Sequence, residues 1–159
     1  YRLSGGASNT DVNASLGGAK SSTSVGTGLH NLFDVVGSAE AATGDTEYRC
    51  VYVHNNHGTL TMQSAKIWIS SNTPSTDTSV EIALGSSAVN GTETSVANEN
   101  TAPSGPTFSA PASEGAALSI GDIPAGQHKA VWIKRIVNTG AAAYNNDTAT
   151  LTVKCDTTA

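Results

Sequence analysis

Short apolar segments that alternate in twos, separated by Gly, Pro and Asn turn signals, confine this chain to an all-β fold. Residues 47–54 (EYRCVYVH) and 128–137 (HKAVWIKRIV) are dense in β-branched and aromatic side chains, the types that fit a pleated, half-buried surface. No stretch sustains the 3.6-residue period of a useful helix.

Successive side chains on a strand point to opposite faces. Tyr48, Cys50 and Tyr52 therefore share one face, and Arg49, Val51 and Val53 the other. Apolar bulk on both faces marks this strand as central. Ile67 and Ile69 share a face of the next strand, and Val80, Ile82 and Leu84 point inward from a strand whose Ser79 and Glu81 face water. Strands over 128–137 and 149–155 follow, giving seven or eight strands. The expected core is Val51, Val53, Ile67, Ile69, Val80, Ile82, Leu84, Val131, Ile133, Leu151 and Val153. Residues 85–116, with Asn90-Gly91, Pro103, Pro106 and Pro111, read as a long excursion, because proline is excluded from central strands.

The pattern predicts a two-sheet antiparallel β-sandwich, jelly-roll or immunoglobulin-like, over residues 32–159. Residues 1–31 differ. They hold the pairs Gly5-Gly6 and Gly17-Gly18 among Ser, Thr and Asn, and carry too little apolar surface for a core of their own. They read as an extended N-terminal arm ordered by a neighbour, with Leu3, Leu16 and Leu29 as partner-binding anchors.

Charge and length exclude several function classes. A chain of 159 residues suits one domain with its own core. The net charge is −5 and the eight Lys and Arg are dispersed, so there is no basic stripe to neutralise successive phosphates and no nucleic-acid partner is expected. No apolar run approaches the roughly 18–20 residues that span a bilayer, so no membrane association is expected and the chain reads as soluble. Cys50 and Cys155 stand in separate strands and read as two thiols, with a long-range disulfide as the alternative.

Chemistry is sparse. His54 and His57, with Asp45 and Glu47 nearby, are the best metal candidates, yet no Cys or His cluster completes a site. Neither a Gly-x-Ser-x-Gly elbow nor a His-Glu-x-x-His helix is present. No catalytic residue, metal or cofactor is expected. Tyr48, Tyr52, Trp68, Trp132 and Tyr144 could form a sugar-stacking platform if exposed together, but Trp68 and Trp132 sit among apolar neighbours and read as core or interface. The glycosylation triplets at Asn13, Asn90 and Asn146 are expected by chance in a chain so rich in Asn and Thr.

The segments 1–11 (YRLSGGASNTD), 45–55 (DTEYRCVYVHN), 65–70 (AKIWIS), 89–93 (VNGTE) and 121–133 (GDIPAGQHKAVWI) resemble virion structural proteins of tailed bacteriophages, and among these most of all capsid cementing, or decoration, proteins. The resemblance implies a small β-sandwich on the capsid exterior, bound in many copies to the major capsid protein and to copies of itself. It transfers no functional residue individually. The rival expectations are a tail, fibre or head-spike module and a carbohydrate-binding or adhesin sandwich.

Overall fold

The computed structural model describes residues 1–157. Its strands are β1 (Arg2–Leu3), β2 (Asp45–His54), β3 (Met62–Ser71), β4 (Thr78–Leu84), β5 (Leu118–Ile123), β6 (His128–Val137) and β7 (Thr150–Asp156), with a short α-helix, α1 (Ser38–Thr43), and a 3-10 turn over Glu114–Ala116. They form two antiparallel sheets in the orders β1-β2-β6-β4 and β5-β3-β7. β2 and β6 are central in the larger sheet and run in unbroken register from Asp45↔Val137 to His54↔His128.

The inward faces meet in one apolar core. Val51, Val53, Ile67, Ile69, Val80, Ile82, Val131 and Ile133 are buried there, with Leu84, Leu151 and Val153 packed against them half-buried. Every residue expected in the core lies in it or packs against it. Ile133 is 4% exposed and faces Ile82 across the β4–β6 ladder, so Ile133→Ala leaves a cavity that cannot fully collapse. A loss of roughly 2–5 kcal/mol is expected in denaturant unfolding.

A second core covers the opposite face of the larger sheet. Tyr48, Cys50, Tyr52, Ala83, Ala130 and Trp132 are buried there, and Val96 and Phe108 from the excursion pack onto them. Phe108 meets Tyr48 edge to face at 5.4 Å between centroids, and Ser109 exchanges both backbone hydrogen bonds with Ile82 on the outer edge of β4. Ala83 is thereby fully buried. This corrects the expectation that β4 faces water on one side: the proline-rich excursion folds over it.

The N-terminal segment is the second correction. Residues 1–25 are extended but docked on their own domain. β1 pairs with β2 at Arg2↔Tyr52 and Leu3↔Val51, and Leu3 is 1% exposed. Ser15 O accepts from Cys50 N, Leu16 O from Val96 N, and Glu93 O from Gly18 N. The physical reason is that backbone bonding to a free strand edge, not apolar area, orders this stretch. Its glycines serve close approach: Gly17 has φ +94°, and a Cβ there would collide with the Thr94 carbonyl.

Candidate functional site

One end of the inter-sheet space is polar. Arg49 and Glu47 project inward from β2 and Arg135 from β6, below the apolar layer, and Glu47 is directly opposite Arg135. Arg135 Nε donates to Glu47 Oε2 at 2.5 Å, and its two other nitrogens reach the Asp34 carbonyl at 2.6 Å and Oδ1 at 3.2 Å. Arg49 is fully buried, pairs with Glu99, and donates to Asn13 Oδ1 at 3.1 Å. Both guanidinium groups face the Phe33 ring, at 5.0 Å for Arg135 and 5.5 Å for Arg49. Burial pushes the Glu47 carboxyl above its ordinary value, and the Arg135 charge only partly offsets this.

These contacts fasten residues 32–35 at the mouth of the sandwich. Above them opens a cleft of about 1200 Å³ between segment 25–37 and loop 140–149. Val51, Val80 and Ile133 of the larger sheet and Leu151 of β7 reach its floor. The loop is held by Gly140 N and Ala141 N donating to Ala41 O, and by Ala142 N donating to Asp77 Oδ2 at 3.0 Å. Asp147 accepts from Ser75 N at 3.0 Å and from the Thr78 hydroxyl.

The cleft gathers the apolar side chains that the fold leaves outside. The large hydrophobics most exposed among the described residues are Tyr1, Leu29, Val35 and Tyr144, at 43%, 52%, 66% and 55%, and all four line it. Scattered exposed apolar residues are ordinary, whereas a contiguous exposed patch marks a contact surface.

The anchors expected from sequence separate. Leu29 lies on the groove wall, exposed. Leu16 is half-buried against the excursion. Leu3 is enclosed in its own domain, and its assignment to a partner is corrected: the β1–β2 ladder has already consumed it. Val35 and Tyr144 were missed, although Tyr144 stood among the aromatic candidates. Each lies in a loop, where alternation gives no sign of orientation.

The other candidates disperse. His54 Nδ1 faces the Gln127 carbonyl at 3.2 Å, while His57 Nδ1 accepts from Thr59 N and Leu60 N. Asp45 accepts from Asn100 Nδ2, and Glu47 is held by Arg135. No group of three or more His, Cys, Asp or Glu that could hold a metal ion is found among the described residues. Trp132 is fully buried and Trp68 half-buried on the other sheet, so the aromatic candidates form no common platform. Cys50 and Cys155 are free thiols, and burial pushes the Cys50 thiol up. No helix among the described residues is long and apolar enough to cross a membrane. Comparison with protein families, with curated proteins and with solved structures finds no match.

Proposed function

We propose that the protein is a non-enzymatic virion structural protein that binds the capsid exterior of a tailed bacteriophage and cements or decorates the shell. The convergence of Tyr1, Leu29, Val35 and Tyr144 on one groove carries this reading. The excursion covers the outer face of the larger sheet, and the groove offers an exposed apolar surface for contact. The resemblance of segments 1–11, 45–55 and 121–133 to cementing proteins supplies the shell as partner. On a lattice, many such modest contacts act together, and linked sites gain roughly 10² to 10⁴ in avidity where the geometry permits.

The experiment is a binding titration of the purified protein on expanded shells, with occupancy read by sedimentation and gel densitometry. Leu29→Ser with Val35→Ser removes two exposed apolar side chains and should leave the melting temperature within a few degrees of the parent. Burying each side chain is worth at least about 1.4 kcal/mol, so half-occupancy should shift to roughly hundredfold higher protein concentration. Equal occupancy by parent and variant would exclude the groove. An absence of binding by the parent would exclude the shell.

A further inference from the structure

The smaller sheet ends at β7, whose one strand partner among the described residues is β3. In an antiparallel ladder the N–H and C=O of a residue point to the same side, and alternate residues point to opposite sides. Leu151 stands opposite Ile69, whose N–H donates to the Pro111 carbonyl and not to β7, and the Leu151 carbonyl accepts from the Tyr1 hydroxyl at 3.2 Å. The backbone groups of Leu151, and by alternation those of Val153 and Cys155, therefore face outward. No backbone group outside the sheet bonds to them among the described residues. An open strand edge beside an exposed apolar groove offers two kinds of contact at once, a row of main-chain donors and acceptors and a place for alternate side chains.

Charges of both signs stand around the groove, but they are unequally matched. Arg135 is matched by Asp34 and Glu47. Asp147, in the groove lining near the start of β7, and Asp77, which holds Ala142 of the adjoining loop, make hydrogen bonds but no ion pair with any described cation. These two carboxylates thus have hydrogen-bond donors but no cationic partner among the described residues.

We propose that the groove is filled by an extended segment of the capsid subunit, added as a strand to the free edge of β7. Its alternate side chains are apolar and enter between Leu29, Val35 and Tyr144, and a Lys or Arg at one end lies over Asp77 and Asp147. This rests on the shell-binding reading and names the part of the shell that is bound.

The test uses the intact protein and a defined probe, the blocked heptapeptide Lys-Val-Thr-Val-Thr-Val-Lys, with its Glu-ended counterpart as control. Amide hydrogen exchange reads strand addition directly. The amides of Leu151, Val153 and Cys155 should slow at least about tenfold at saturation, and the Lys-ended peptide should bind at least about tenfold tighter than the Glu-ended one at low salt, the difference shrinking as salt rises. Val153→Pro removes an outward N–H and should abolish peptide binding while the β3 ladder stays protected, since proline is tolerated on a free edge. The exchange measurement needs no variant, so the proposal stays testable if that substitution perturbs folding. Unchanged exchange at these three amides, or equal affinity for the two peptides, overturns it. Protection that rises with protein concentration without peptide assigns the edge to a second copy and also overturns it. The same amides should be protected on decorated shells. Shells decorated with β7 still exchanging freely overturn strand addition and leave the shell reading standing, whereas peptide uptake without shell binding removes the capsid subunit as the source of the strand.

Discussion

Deletion of residues 1–25 is expected to unfold or severely destabilise the domain, not merely to detach an arm. The truncation strips β1 from β2 and leaves the N–H groups of Cys50 and Val96 without the Ser15 and Leu16 carbonyls that they use. It also takes Gly18, whose carbonyl accepts from the Tyr52 hydroxyl at 2.6 Å in a part-buried setting. Each buried polar group left unpaired costs roughly 1–3 kcal/mol, and loss of the fully enclosed Leu3 adds about 1.5–3 kcal/mol. Together these rival the whole stability margin of about 5–15 kcal/mol of an ordinary domain. Thermal unfolding followed by circular dichroism should show a transition lowered by well over 10 °C, or none. A truncated chain melting within a few degrees of the intact one would make the segment peripheral and return it to the role of a free arm. Loss of shell binding on truncation would therefore report unfolding, which is why point substitutions in the groove are the sharper test of function.

The strands that alternate cleanly were legible. β2, β3, β4, β6 and β7 carry their apolar residues in a period of two, and burial follows that period because an inter-sheet core accepts one face of each strand. The second core was half legible. Tyr48, Cys50 and Tyr52 opposite Arg49, Val51 and Val53 already require cover on both sides of β2, and the excursion holds Val96 and Phe108 as candidates for it. That the N-terminal segment shares the task was hidden, because Ser15, Ser21 and Gly18 contribute through backbone bonds and small size, which hydropathy does not register. The interior ion pairs were hidden for a similar reason. Arg49 falls on the same face as Val51, yet nothing local in the chain points to Glu99, fifty residues away. The groove depends on where two loops end up, and the exposure of Val35 and Tyr144 follows from the Asp34 and Ala142 anchors beside them.

Glu93 is the residue whose loss should do most damage for a single polar substitution. Its side chain accepts from Ser86 N at 3.1 Å and Ser87 N at 2.9 Å, its backbone N–H donates to the Tyr52 hydroxyl at 2.9 Å, and its carbonyl holds Gly18 N. It thus joins the excursion, the N-terminal segment and the central strand at one buried point, 3% exposed. Gly85 is glycine because a Cβ there would strike the Glu93 carboxylate and Ala130. Glu93→Ala frees the turn 85–87 and leaves Lys129, whose ammonium bonds the Gly85 and Ser87 carbonyls, without its nearby counter-charge. A loss of roughly 2–4 kcal/mol in urea unfolding is expected, and about half of that for Glu93→Gln, which keeps an acceptor. Burial alone would raise the Glu93 carboxyl, but the donors on Ser87 and Ser86 outweigh it, and the indole N–H of Trp132 also favours the ionised form, so the carboxyl sits below its ordinary value. The folded state therefore binds this proton less readily than the unfolded state. Its contribution is complete above the ordinary carboxylate range and is lost as pH falls through that range to the depressed folded value. Parent and Glu93→Gln should accordingly differ most near neutral pH and converge in acid. A gap that stays constant from neutral pH down to the acid limit would mean that the carboxylate's charge contributes nothing, and that the side chain acts by shape alone.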